Sequence, residues 1–136
     1  MGKVFAEITL KNSVDVSNAG RGIIPESDVR SLSVTALVDT GAMTLTINEE
    51  MRQKLGLSIE GTRIASLAGG AKMECKITEP VRIHWKNRDT ACRAMVMPNG
   101  DALLGLLPLE DMDLIVDPVR HELTGAHGEE ILTFIM

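Results

Sequence analysis

The stretch Ser33–Ile47 reads SVTALVDTGAMTLTI and places one acidic residue between two strand-like segments. Apolar side chains alternate with others up to Val38, and Leu45 and Ile47 resume the alternation further on. Such a period of two is typical of half-buried strands. Asp39 is therefore expected at a sharp turn close to the core, where a carboxylate is costly unless it is hydrogen-bonded or paired.

The length and charge of the chain narrow the classes of function. Its 136 residues fit one domain, residues 1–136. A net charge of −5 and an aromatic content of 2% argue against a nucleic-acid partner, which needs clustered cations and stacking side chains. No apolar run approaches the roughly 18 residues of a membrane span, and the N-terminal segment alternates, unlike a signal peptide. The expected location is cytoplasmic, with no membrane partner.

Alternation also opens the chain, where Val4, Ala6, Ile8 and Leu10 share one side of a predicted first strand. Residues 12–30 are polar and rich in glycine, and we expect them to form a long loop or a loose hairpin. A loop of this length can frame a functional site.

Two short helices are predicted. Asn48 is expected to cap the first, because its side chain can accept hydrogen bonds from exposed amides, and Gly56 is expected to end it. The second begins near Pro108, after a buried strand that runs into Gly105, and another strand follows through Val116.

Strands dominate the rest of the pattern. Residues 62–97 predict four strands, separated by Gly69–Gly70, Glu79–Pro80 and residues 87–89. The glycine pair indicates a hairpin tip, since tight turns need positive φ angles. Residues 131–136 are expected to form a last strand. The fold class is mainly β, a closed or sandwich-like barrel with one or two short helices.

The chain contains three motifs in this order: ALVDTGA at Ala36–Ala42, SLAGGAKM at Ser66–Met73 and ALLGLLPLE at Ala102–Glu110. This order resembles the retropepsin-like aspartic proteases, the family of retroviral proteases and their single-domain cellular relatives. The resemblance covers nearly the whole chain. It implies a closed acid-protease-type β-barrel and an aspartic endopeptidase activity.

The resemblance also implies roles for individual residues. Asp39 would be the catalytic carboxylate, and Thr40 would lock its turn through the hydroxyl group. Gly41 would let the backbone approach its partner closely, and Ala42 would lie beside the carboxylate. The flap and substrate-binding set would be Ala68, Gly69, Gly70, Leu103 and Leu104. Leu104 and Gly105 would also pack beneath the active-site loop, with Gly105 as its structural glycine.

The chemistry of peptide hydrolysis by carboxylates needs two of them. One takes a proton from water and the other gives one to the carbonyl oxygen, and they share a proton because both cannot ionise together. The chain contains one Asp-Thr-Gly, and neither Asp113 nor Asp117 has the glycine turn. The sequence therefore predicts a homodimer that brings two Asp39 side chains together on a peptide or protein substrate, without a cofactor.

Simpler interpretations remain open. Asp39 could be a structural residue of an Asx-turn, and Gly69–Gly70 could form a plain hairpin tip. The alternative function is a non-catalytic module that keeps the same fold for dimerisation or peptide binding, because a fold does not fix a function.

Cysteine and histidine give little sign of other chemistry. Cys75 and Cys92 are expected to be buried free thiols, although a disulfide between them is an open alternative. His121 and His127 lie near acidic residues, but their spacing fits no compact zinc pattern, so no metal site is expected. Trp85 alternates with apolar residues and is expected in the core or at a dimer surface.

Overall fold

A computed structural model describes residues 2–135, so Met1 and Met136 lie outside the described residues. The described chain is mainly β, with three short α-helices and one 3₁₀ turn at Glu26–Asp28. The strands are β1 (Phe5–Asn12), β2 (Ser31–Val38), β3 (Leu45–Asn48), β4 (Ile59–Ser66), β5 (Lys72–Trp85), β6 (Arg88–Met97), β7 (Ala102–Leu104), β8 (Leu114–Asp117) and β9 (Glu122–Gly125). The helices are α1 (Ser13–Gly20), α2 (Glu49–Leu55) and α3 (Leu106–Asp111).

Six of the strands close into a barrel. They follow one another in the order β1-β2-β7-β3-β6-β5, and β5 returns to β1 through antiparallel pairs such as Leu10 with Ile83. Strand β4 pairs with β5 and extends beyond the barrel as a hairpin. This architecture confirms the predicted mainly β, closed barrel with few short helices.

The barrel interior is filled by the alternating positions of these strands. Leu10, Leu45, Ile47 and Ile83 are fully buried, and Trp85 is buried beside them. Burying side chains of this size contributes about 1.5–3 kcal/mol each, which makes this core the main source of stability. The core position expected for Trp85 is confirmed.

Strand β7 lies between β2 and β3, parallel to the first and antiparallel to the second. Val38 and Leu45, at the two sides of the Asp39 turn, both pair with Leu104 of β7. The insertion therefore brings the Asp39 turn against the start of α3, although more than sixty residues separate them in the chain.

Helix α2 has the caps that the sequence predicts. The Asn48 side chain accepts a hydrogen bond of 2.9 Å from the Met51 amide, and Gly56 ends the helix with φ of 63°. Among the described residues, no helix has the length and apolar character needed to cross a membrane.

The prediction of a long loop over residues 12–30 is wrong, because the segment contains α1 and the 3₁₀ turn. The Asn12 side chain caps α1 by accepting a 3.1 Å hydrogen bond from the Asp15 amide. Arg30 then donates two side-chain hydrogen bonds of 2.8 and 2.9 Å to the Asp15 carboxylate. This ion pair fastens the segment to the start of β2.

The predicted break at Glu79–Pro80 is also wrong, because β5 continues through it. The pairing of β5 with β6 shifts register between Ile77 and Pro80. Proline has no amide hydrogen and is tolerated in a strand at such an irregularity.

The predicted last strand is not formed by residues 131–135, and Met136 lies outside the described residues. The final strand is β9, which pairs with β8 in a separate two-stranded sheet. The Leu132 amide instead donates a 3.0 Å hydrogen bond to the Asp113 carboxylate.

Candidate active site

The Asp39 turn is held by backbone hydrogen bonds. The Asp39 amide donates to the Leu104 carbonyl at 3.0 Å, and the Ala42 amide donates to the Asp39 carbonyl at 3.1 Å. The Gly41 amide donates to Oδ1 of Asp39 at 2.9 Å. The Asp39 residue is partly buried, and it lines the cleft described below. The backbone therefore binds one carboxylate oxygen of a group that is still open to the cleft.

Gly105 lies directly beneath this turn. The Leu106 amide after it donates a 2.9 Å hydrogen bond to the Ala42 carbonyl, and the Leu107 amide donates one of 2.8 Å to the Met43 carbonyl. The start of α3 therefore supports the far side of the Asp39 turn. The structural role that the resemblance implies for Gly105 stays a prediction.

The hairpin of β4 and β5, with its tip at residues 67–71, is called the flap here. Gly69 and Gly70 both have φ of +89°, a backbone region that favours glycine. The tip is closed by hydrogen bonds from the Leu67 amide to the Ala71 carbonyl and from the Gly70 amide to the Leu67 carbonyl, at 2.7 and 3.0 Å. The predicted hairpin tip is confirmed.

A cleft of about 970 Å³ lies between the Asp39 turn and the flap. Its floor is one face of the barrel sheet. Four paired residues form a row across this face, from Ile77 on β5 to Met95 on β6, Thr46 on β3 and Leu103 on β7. The floor is mostly apolar and suits the side chains of a bound peptide.

The structure brings half of the ten predicted site residues to the lining of this cleft. Asp39, Gly41, Ala42, Ala68 and Leu103 line it. In this single chain the flap-tip glycines lie beyond the lining residues, and their contact with a substrate stays a prediction. Thr40 is exposed next to the cleft, and its locking role stays a prediction too.

Leu104 differs from the expectation that placed it beside Leu103 against a substrate. Its side chain is fully buried in the barrel core, because successive residues of a strand face opposite sides of the sheet. The substrate contact is therefore predicted for Leu103, whereas Leu104 supports the Asp39 turn through its carbonyl oxygen.

Several lining residues had not been singled out from the sequence. Arg63 and Arg93 bring two guanidinium groups to the cleft, and Met95 and Met97 add thioether side chains. The alternation within the predicted strands could have placed these residues on one face. Which face of each strand lines the cleft depends on the order of the strands in the sheet, and the local sequence does not indicate this order.

The cleft contains one evident acid–base group. Asp39 is the only carboxylate among the described lining residues, and none of these residues is a histidine. Burial raises the pKa of the Cys92 thiol, so this side chain stays protonated near neutral pH and is a poor nucleophile. Both cysteines are free thiols. The chemistry available here is that of a carboxylate.

Metal chemistry finds no support in the side chains that the structure describes. Within residues 2–135, no three histidine, cysteine, aspartate or glutamate side chains cluster closely enough to hold a metal ion.

A closed barrel, an Asp-Thr-Gly turn supported by a glycine, and a flap above an apolar cleft together define an acid-protease-type domain. Residues 26–107 match the family model described as "Aspartyl protease", so the chain belongs to the aspartyl protease family. The fold is that of the retropepsins: the EIAV protease, solved in complex with the inhibitor HBY-793, superposes with a TM-score of 0.57 and 20% sequence identity, over 81% of this chain and 88% of that one. No curated protein matches the chain.

Proposed function

We propose that the protein is a homodimeric aspartic endopeptidase whose single active site contains Asp39 from each of two chains. The observation that carries the proposal is the position of Asp39: it is the one carboxylate of the described cleft lining, and a backbone amide holds one of its oxygens. Membership of the aspartyl protease family supports a hydrolase. Since the reaction needs two carboxylates, a second chain has to supply the other.

The reaction follows from two carboxyl groups that share one proton. The ionised Asp39 takes a proton from a water molecule, whose oxygen forms a bond to the peptide carbonyl carbon, while the protonated Asp39 of the other chain donates to the carbonyl oxygen. The tetrahedral intermediate then breaks its carbon–nitrogen bond as the Asp39 that took the proton from water donates it to the leaving nitrogen. The other Asp39 takes back a proton from the hydroxyl group as the carbonyl bond re-forms, so the pair again holds one shared proton. The Gly41 amide fixes one oxygen of each carboxylate and so sets the direction of the other.

The surface around the Asp39 turn supports association of two chains. Thr40 and Gly41 are exposed beside the carboxylate, and the apolar side chains of Met43 and Leu107 are 62% and 49% exposed. Exposed apolar surface next to a functional group is typical of an interaction site. In a twofold dimer, the same surface of each chain would cover the other.

Replacement of Asp39 by Asn tests the proposal. Asn keeps the shape of the side chain but cannot share a proton, so Asp39→Asn should abolish cleavage of unstructured peptides, followed by mass spectrometry, while sedimentation still shows a dimer. Asp28→Asn is the matched control, because Asp28 is exposed in the 3₁₀ turn outside the cleft lining, and it should cleave like the wild type.

Two results would contradict the proposal. Cleavage by Asp39→Asn above background would move the catalytic role to another residue. A wild-type dimer that binds a pepstatin-like inhibitor but cleaves no peptide would favour the non-catalytic, peptide-binding module instead.

A further inference from the structure

We propose that Arg63 is a specificity-determining residue that selects substrates with an acidic side chain. This inference rests on the proposed peptidase function and adds the class of peptide that the cleft accepts. Glutamate or aspartate of the substrate would bind the Arg63 guanidinium, while apolar side chains on either side of it would pack on the cleft floor.

Strand register places Arg63 on the inner face of the flap. Arg63 of β4 lies directly opposite Cys75 of β5, and directly opposed residues of antiparallel strands share a face. The Cys75 side chain is buried, with its Sγ atom 3.9 Å from Sδ of Met97 on the floor strand β6. Arg63 is therefore on the same side as these two sulfur atoms, and it lines the cleft.

The charge of Arg63 is not balanced by the rest of the described chain. Among residues 2–135, no carboxylate oxygen lies within 4.0 Å of its guanidinium nitrogens, whereas Arg30, Arg52 and Arg82 all have such a partner. Glu74 is next to Cys75 in the chain but pairs with Ile64, so it belongs to the opposite face of the flap. A cation on an apolar surface gains most from a partner that arrives with the substrate.

Arg93 adds a second positive charge at the cleft. It lies on β6, its side chain is half exposed, and its nearest carboxylate oxygen, from Glu60, is 3.7 Å away, too far for a hydrogen bond. The lining thus carries two cations against the single acid Asp39, in a protein whose net charge is −5. The cleft attracts anionic side chains although the protein as a whole repels them.

Arginine matches a carboxylate better than lysine does. Its planar guanidinium donates two parallel hydrogen bonds to the two oxygens of one carboxylate, and such charge-assisted pairs are among the stronger hydrogen bonds. Because Arg63 is exposed in the free protein, the attraction is strongest where a bound peptide covers both partners and lowers the local dielectric constant. A substrate amide such as glutamine offers one acceptor without the charge, so the cleft discriminates between Glu and Gln.

Positional-scanning decapeptide libraries test this inference, with Glu, Gln, Leu or Lys fixed at one position at a time. The wild type should have a kcat/KM about tenfold higher for Glu than for Gln at one or two positions near the scissile bond. Arg63→Met should lose this preference, Arg63→Lys should keep part of it, and Arg63→Glu should reverse it in favour of Lys. Arg120→Met is the matched control, because Arg120 is exposed outside the cleft lining and should leave the profile unchanged.

The reversal in Arg63→Glu separates specificity from a structural role, since a loss of folding would lower cleavage of every library equally. A wild type that cleaves without preferring Glu over Gln, or an Arg63→Glu variant that still prefers Glu, would overturn the inference while leaving the peptidase function standing. Absence of cleavage of every library by the wild type would overturn the peptidase function itself.

Discussion

Gly105 packs so closely against Ala42 that a Cβ atom at position 105 would lie 2.6 Å from the Ala42 carbonyl oxygen. The backbone of Gly105 is extended, with φ of −93° and ψ of −172°, a conformation open to any residue. Glycine is required here for space. The contact joins the start of α3 to the turn that carries Asp39, so it helps to set the position of the carboxylate relative to the barrel.

Gly105→Ala should therefore lower the free energy of unfolding by about 2–4 kcal/mol, because the new methyl group overlaps backbone atoms of Ala42 and Thr44 that cannot rotate away. Urea denaturation at a fixed protein concentration measures this change. Gly20→Ala is the matched control: a Cβ atom at the end of α1 meets nothing within 4 Å, and the change should stay within about 0.5 kcal/mol. A Gly105→Ala variant as stable as this control would show that the turn is not packed as described.

The flap tip should matter for catalysis more than for stability. Gly69 and Gly70 have φ of +89° with open space around them, so replacing both by Val strains the tip without a steric clash. We expect kcat/KM for a peptide to fall about tenfold or more, because the strained tip closes poorly over the substrate. The measurement is peptide cleavage, with the unfolding midpoint recorded in parallel.

Gly22→Val is the control for this double substitution. Gly22 also has a positive φ, of +74°, and open space around it, but it follows α1 outside the cleft lining. It should share the strain and keep the activity. Equal kinetics for the flap variant and the wild type would mean that the hairpin has no role in turnover.

The ion pair of Asp15 and Arg30 predicts a pH dependence of stability. A hydrogen bond from the Arg30 side chain holds the pKa of the Asp15 carboxyl below its usual value. The stabilisation is therefore present above the ordinary pKa of aspartate, about 3.9, and is lost as the pH falls through the lower pKa of the folded state, since the unfolded chain binds the proton first. At neutral pH, Asp15→Asn should cost about 1–2 kcal/mol.

This cost should shrink as the pH is lowered from about 5 towards 3, because the wild type then loses the same interaction. Denaturation of both proteins across this range, at one protein concentration, measures the gap. Asp28→Asn, an exposed substitution in the same segment, should track the wild type at every pH. A gap between Asp15→Asn and the wild type that stays constant with pH would contradict the assignment of the ion pair.

The predictable parts of the fold are those whose signals are local. The alternation that ends at Val38 predicts the turn at Asp39, and a glycine pair between two alternating segments predicts the flap tip. The helix caps are local signals too, because the Asn48 side chain accepts the capping hydrogen bond and Gly56 adopts a positive φ without a side chain. Each of these features depends on neighbours within a few residues.

The parts that could not be predicted depend on distant contacts. Helix α1 has eight residues and a weak apolar pattern, and it is held by the contact of Asp15 with Arg30, fifteen residues away. The burial of Leu104 depends on where β7 is inserted in the sheet. The position of Arg63 at the cleft depends on the register of β4 with β5 and on the pairing of β5 with β6. The local sequence around these residues does not indicate any of these contacts.

The central claim is that two chains share one active site, and mixing the wild type with Asp39→Asn tests it most directly. The wild type is held at a concentration where it is fully dimeric, increasing amounts of the variant are added, and peptide cleavage is followed after the chains have exchanged. A mixed dimer contains one competent carboxylate and is therefore inactive. If chains pair at random, cleavage activity should fall to about half at an equal amount of variant and to about a quarter at a threefold excess. Wild-type activity that stays constant at every ratio would show that each chain carries a complete site, and would contradict the account.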